Sequence, residues 1–171
     1  MRVILVRHAM PEVDPGVPPR LWHLGAAGEA AARALTPALP ADAVLVASTE
    51  PKAAETLQAA APGRAVLRNA GFDEVHQPAE WRDDHRERAR AYVEGTSHPD
   101  WEPQPEVAAR FTAAIARHAG ARPLVVASHG LAITCWLAAQ QLLTQPPGVF
   151  WAALTFPDVI DLSLPTWAPG P

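Results

Sequence analysis

The chain has one cysteine, Cys135, and one lysine, Lys52, among 171 residues. A lone cysteine excludes an intramolecular disulfide and every zinc motif that needs two cysteines. It suits a reducing compartment, so the expectation is a cytoplasmic protein. Positive charge is also scarce: 14 basic residues face 18 acidic ones, a net charge of −4. No basic excess is present to neutralise a nucleic-acid backbone, and nucleic acid is not an expected partner. No segment reaches the roughly 18 consecutive apolar residues of a membrane span, and the apolar start at residues 3–6 is shorter than a signal-peptide core. A soluble protein with no membrane partner follows as an expectation. No repeat with a period of about 20–50 residues appears, which argues against a solenoid.

What the chain does have is apolar residues, 49% of the total, enough for one domain over residues 1–171 with a sizeable core. Short runs rich in β-branched and aromatic residues predict strands at 2–6, 43–47, 65–68, 124–127, 151–156 and 159–164. Helical stretches are expected between them, at 26–35, 51–60 and 106–119. Pro51 sits at a first-turn position, and Gly120 closes the last of these. Residues 130–143 are apolar on nearly every side and read as a buried helix with Cys135 and Trp136 in the core. Alternating strands and helices predict an α/β three-layer sandwich, with a mainly parallel sheet of about six strands flanked by helices. Residues 71–105 are more polar and carry Trp81, Tyr92 and Trp101. They read as an excursion covering a site, with a short helix at 83–94. The proline-rich end, 165–171, is expected to be irregular.

Two of the expected strands end on a histidine: Leu5-Val6-Arg7-His8-Ala9, and Val126-Ala127-Ser128-His129-Gly130. In an open α/β sheet, chemistry gathers outside the carboxyl ends of the strands, so two histidines placed there could meet over one site. With Arg7 beside them, the combination points to phosphate chemistry.

The first of these segments resembles the opening Arg-His-Gly motif of the histidine phosphatase superfamily, the phosphoglycerate mutase-like clan, with Ala9 in the glycine position. Leu24-Gly25-Ala26-Ala27-Gly28 is similar to the family's Leu-Thr-x-x-Gly at the start of the first helix, with Gly25 replacing the threonine. Ser48-Thr49-Glu50-Pro51-Lys52-Ala53-Ala54-Glu55-Thr56 is similar to Ser-x-x-x-Arg-Ala-x-x-Thr, with Lys52 where the family's phosphate-holding arginine stands. Lysine keeps the charge but loses the planar bidentate fork. Phe72-Asp73-Glu74-Val75 lies where the family places its proton donor, and Ser128-His129-Gly130 matches the second histidine motif. The resemblance spans nearly the whole chain.

It implies a metal-independent phosphomonoesterase of phosphoglycerate mutase-like fold, without a cofactor. His8 would attack phosphorus to form a phosphohistidine, splitting hydrolysis into two steps. Arg7, Lys52 and His129 would hold the phosphoryl oxygens, because charge spreads over them in the transition state. The N-terminus of a helix after His8 or His129 is a further candidate source of donors. Glu74 would protonate the leaving oxygen and then activate water; Asp73 competes for this role. His76 and Trp81 follow closely and are candidates for substrate contact. Ser48 also reads as a helix cap, and His23, His85, His98 and His118 as surface or capping histidines. The expected partner is a small phosphorylated metabolite or a phosphohistidine protein. Two alternatives stand: a phosphoglycerate mutase-like phosphotransferase, which is usually longer, and a catalytically weak member that binds a phosphorylated ligand. The oligomeric state stays open.

Overall fold

The computed structural model describes residues 1–79 and 82–164. Five strands, β1 (Arg2–Arg7), β2 (Val44–Ala47), β3 (Val66–Arg68), β4 (Leu124–Ser128) and β5 (Asp158–Ser163), form one sheet in the order β3-β2-β4-β1-β5. The first four are mutually parallel and β5 runs antiparallel beside β1. Among the described residues, six α-helices flank it: α1 (Ala26–Arg33), α2 (Pro51–Ala60), α3 (His85–Val93), α4 (Gln104–His118), α5 (Gly130–Ala139) and α6 (Pro147–Ala153). The mainly parallel α/β architecture matches the expectation, with five strands rather than six.

The missing strand is 151–156. Pro147 occupies the first position of α6, where its locked φ favours a helix and its absent N–H costs nothing, and the helix carries Trp151 to Ala153. A six-residue apolar run containing Trp and Phe has strand composition, but so short a run does not separate strand from helix. α5 is also shorter than the apolar pattern at 130–143 suggests. It stops at Ala139, and Gln141 adopts φ 57, a left-handed conformation that ends the helix. The expected irregular tail at 165–171 and Trp81 lie outside the described residues.

Strand period two divides the core between the sheet's faces. Val3, Leu5, Val46, Leu124 and Val126 pack against α3, α4 and α5 through Tyr92, Phe111, Ile115, Ile133 and Trp136. Ile4, Val6, Leu45, Ala47, Val125 and Ala127 face Ala53, Ala54 and Leu57 of α2, against which α1 lies. A strand buried on both faces must be apolar at every position, which explains the unbroken runs in β1 and β4. Trp136 is fully buried with its ring stacked on Phe111 at 5.3 Å, and its indole N–H donates to Thr112 Oγ1 at 3.0 Å. Among the described residues, no helix is long and apolar enough to cross a membrane.

The chain leaves β1 toward the α1/α2 face and leaves β4 toward the α5 face, so the switch point of the sheet lies between these neighbouring strands. Their register places Arg7 opposite Ser128. The sheet continues just past its strands: His8 N–H donates to Ser128 O at 3.0 Å and Ser48 N–H to Ala127 O at 2.9 Å. His8, Ser48 and His129 therefore emerge side by side.

Gly28 holds the segment after His8 in place. A Cβ on this buried residue of α1 would stand 2.4 Å from the Met10 carbonyl oxygen. Alanine gains about 1 kcal/mol of helix propensity over glycine, but overpacking against backbone costs about 1–3 kcal/mol. Gly28→Ala is therefore expected to lower the melting temperature by several degrees, measured by thermal unfolding; an unchanged or raised Tm would contradict this packing.

Candidate active site

Arg7, His8, Lys52 and His129 are buried polar residues at the carboxyl edge of the sheet. The rings of His8 and His129 lie 5.0 Å apart, tilted by 59°. His8 Nδ1 is 2.8 Å from its neighbour's carbonyl, Ala9 O. A carbonyl only accepts, so Nδ1 carries the proton and Nε2 keeps its lone pair. Ala9 is itself anchored: its N–H donates to Thr56 Oγ1 at 2.9 Å, and that hydroxyl donates to Lys52 O at 2.7 Å. The threonine that closes the Lys52 motif thus ties α2 to the backbone beside His8.

Asp73 and Ser48 orient His129. Ser48 Oγ donates to Asp73 Oδ1 at 2.7 Å, and Thr49 gives the same carboxylate its N–H and its hydroxyl, both at 2.7 Å. The Ser48 hydroxyl has a single proton and spends it on Asp73. The 2.9 Å contact of His129 Nε2 with Ser48 Oγ is therefore donated by the histidine. His129 Nδ1 is left as a buried lone pair without a partner. Ser48 is not the cap of α2, whose N-cap residue is Glu50; its hydroxyl instead accepts the Glu50 N–H at 3.1 Å.

Glu74 turns toward α5. It accepts Ala132 N–H at 2.9 Å and Leu131 N–H at 3.3 Å, three and two residues beyond His129. These amides of α5 are the helix donors expected to face phosphate, and here a carboxylate already takes them. No helix starts directly after His8: the chain forms a loop, with one 3-10 turn at Pro19–Leu21, closed by a bridge between Pro11 and Leu24. Burial pushes the Glu74 carboxyl up, against backbone N–H groups of Val75, Ala132 and Leu131 that pull it down, and the charge of Glu50 adds to the rise.

Glu50 carries no motif signal, yet its side chain is only 11% exposed and joins the cluster. Its carboxylate accepts from Lys52 Nζ at 2.5 Å and from the Glu74 N–H at 2.9 Å, and stands 3.7 Å from His129 Nε2. Lys52 also donates to Pro19 O at 2.8 Å. Only the turn between β2 and α2 brings Glu50 beside Lys52, so spacing alone offers no signal for it. Phe156 is a second residue outside the motifs. Its ring centre is 3.4 Å from Arg7 Cζ and 5.3 Å from the His8 ring.

His76 is elsewhere: its Nδ1 is 4.0 Å from Glu102 Oε2 and its side chain is 79% exposed. Trp81 lies outside the described residues. Among the described residues, no group of three or more His, Cys, Asp and Glu side chains is placed to hold a metal ion.

Burial pulls Arg7 down to about 10, opposed by the charges of Glu74 and Asp158. His8 and His129 are both held well below the ordinary histidine range, by burial first and then by nearby groups: His129, Lys52 and Arg7 for His8, and Lys52, Arg110 and Arg7 for His129. Both imidazoles are therefore neutral at pH 7. Among the described residues, the buried side-chain nitrogens without a hydrogen-bond partner are Arg7 Nε and His129 Nδ1.

The family model of the histidine phosphatase superfamily (branch 1) matches residues 3–158, which include every residue of this cluster. The chain belongs to the histidine phosphatase superfamily. The phosphatase chemistry expected from the motifs is the chemistry of that family. No curated protein matches this superfamily member by sequence. Its fold is shared with mycobacterial glucosyl-3-phosphoglycerate phosphatase complexed with VO3, 22% identical with TM-score 0.68, over 95% of this chain and 92% of that one. Mycobacterial hydrolase 2 is 25% identical with TM-score 0.70, over 99% of this chain and 84% of that one. TTHB049 from Thermus thermophilus is 23% identical with TM-score 0.63, over 96% of this chain and 94% of that one.

Neutral buried histidines make stability depend on pH. An unfolded histidine protonates below about pH 6.5 while these two resist it, so the stability they contribute is present above pH 6.5 and lost as pH falls. The raised Glu74 acts in the opposite sense, favouring the folded state as pH drops. The contribution of His8 is isolated by comparing urea unfolding of the native protein and His8→Asn. Below pH 6.5 the native protein should lose up to about 1.4 kcal/mol per pH unit more than the variant; equal slopes would contradict a neutral buried His8.

Proposed function

We propose that this member of the superfamily is a metal-independent phosphomonoesterase that works through a phosphohistidine on His8. The observation that carries the reading is the pair of buried, unpartnered nitrogens on Arg7 and His129, which flank a histidine whose tautomer leaves Nε2 free to attack. Buried polar groups are almost always paired, and one phosphoryl group could satisfy both. Arg7 would donate to it directly. His129 is neutral in the empty site and would take up a proton at Nδ1 to donate to an incoming dianion. Lys52 spends two of its three ammonium donors on Glu50 and Pro19, so it offers one N–H to a phosphoryl oxygen.

In the first step His8 Nε2 bonds to phosphorus while the ester P–O bond breaks, and Glu74 gives its proton to the leaving oxygen. In the second, water attacks phosphorus, Glu74 takes the proton back, the P–N bond breaks and inorganic phosphate leaves. Asp73 is committed to Ser48 and Thr49 as a positioning residue, and Glu74 is favoured as the acid because burial raises it toward its protonated form. The fold neighbour that is a glucosyl-3-phosphoglycerate phosphatase supports a small phosphorylated metabolite as the substrate class over a phosphohistidine protein.

Hydrolysis of an aryl phosphate between about pH 5 and 8 tests the reading. Activity should survive a chelator, be blocked by vanadate and fall to background in His8→Ala; turnover that persists in His8→Ala would refute the intermediate. Glu74→Gln should lower kcat about 10²–10⁴-fold with KM near native. Because Glu74 acts protonated and burial raises it, kcat should decline as pH rises through its native titration. That limb should be absent from the pH profile of Glu74→Gln, and its persistence there would assign it to another group.

A further inference from the structure

Glu50 is the acid of the cluster that neither the motifs nor the proposed reaction uses. It caps α2 from the position before Pro51, two residues ahead of Lys52. The Glu50 and Lys52 side chains are 11% and 7% exposed, so the pair meets largely out of water, where charges act strongly on one another. One carboxylate oxygen holds the Lys52 ammonium at 2.5 Å, and the other accepts the Glu74 N–H at 2.9 Å.

That contact bears on any anion bound at Lys52. The ammonium has three donors, of which Glu50 takes one and Pro19 O another at 2.8 Å. A phosphoryl oxygen on the third would stand about 4.5 Å from the Glu50 oxygen, because ammonium donors point to the corners of a tetrahedron and charge-assisted bonds are about 2.8 Å long. Like charges at that separation in a largely buried site repel. Glu50 also stands 3.7 Å from His129 Nε2, where its charge would favour protonation of the imidazole and so help an anion. The two effects oppose. The Lys52 contact is direct, whereas 3.7 Å is beyond hydrogen-bond reach and the Nε2 proton already goes to Ser48 Oγ, so competition at Lys52 is the larger.

We propose that Glu50 is a built-in competitor for Lys52 that lowers the affinity of the site for phosphate, so that inorganic phosphate, the product, is released rather than retained. The proposal rests on the reading of Arg7, Lys52 and His129 as the phosphoryl site. Glu50 acts through Lys52 rather than on the reacting atoms, which makes it a positioning residue. A lysine paired in this way is a weaker anchor than a free cation. The weakening falls on substrate and product alike, so it appears in KM and in product inhibition rather than in kcat.

The test measures binding of inorganic phosphate by calorimetry, at one pH and ionic strength, in the native enzyme, Glu50→Gln and Glu50→Asp. Glutamine keeps an oxygen for the Glu74 N–H and removes the charge; aspartate keeps the charge. Glu50→Gln should bind phosphate about tenfold more tightly, the size of one charge-assisted contact. Its KM for an aryl phosphate and its inhibition constant for phosphate should fall alike, with kcat near native. Glu50→Asp should stay near the native affinity. Damage to the site would weaken phosphate binding, so the sign of the change separates competition from a structural role. Unchanged or weaker binding in Glu50→Gln, or equal tightening in Glu50→Asp, would overturn the proposal. Thermal unfolding reads the same quantity in a less stable variant: phosphate should raise the Tm of Glu50→Gln more than that of the native protein, and an equal or smaller rise would count against competition. Phosphate binding needs no turnover, so tightening would sustain the role of Glu50 even if no phosphohistidine formed, and its absence in an active enzyme would refute that role alone.

Discussion

The parallel insertion of β4 between β1 and β2 is the constraint on which the rest of the site depends. Arg7 stands opposite Ser128, and the ladder runs one bond further on each side, from His8 to Ser128 and from Ser48 to Ala127. Three chain segments far apart in sequence therefore leave the sheet at one level. Those leaving β1 and β4 turn to opposite faces, which opens the crevice between them. A one-residue slip of β4 would send His129 to the other side of the sheet and dissolve the arrangement, and burial of both faces of β4 is what forbids such a slip.

Charge is arranged around that crevice with more acid than the motifs suggest. Arg7 and Lys52 are buried cations; Glu50 pairs with Lys52, and Arg7 feels the charges of Glu74 and Asp158. Asp73 is fully engaged by Ser48 and Thr49, Glu50 by Lys52 and the Glu74 amide, and Glu74 by α5. Buried charges are costly unless paired, and Glu50 holds Lys52 in place while Leu154 O and the Phe156 ring hold Arg7. Lysine at position 52 fits this wiring. A compact ammonium reaches both the Glu50 carboxylate and the Pro19 carbonyl, whereas a planar guanidinium fork is built for a two-oxygen partner.

Parts of this were legible in the chain and parts were not. The runs in β1 and β4 announce themselves because buried parallel strands are apolar at every position, and the histidines that end them point to the sheet edge. The run at 151–156 misleads, because composition does not separate a short strand from a helix led in by Pro146 and Pro147. Its true conformation is what brings Trp151, Leu154 and Phe156 around Arg7. Glu50 was invisible because its partners, Lys52, Glu74 and His129, converge only after α2 and the loop after β3 dock on the sheet. Asp73 and Glu74, adjacent and chemically alike, separate only by what each side chain meets.

The sequence by itself determined the class of fold, the pair of histidines at strand ends and the family, since these follow from local periodicity and from motifs a few residues long. Only the tertiary structure decided what Asp73 and Glu74 each meet, that His129 keeps an unpaired nitrogen and that Lys52 is shared with Glu50. Each of these is a contact between segments distant along the chain, and its energy depends on burial and direction that no local pattern encodes.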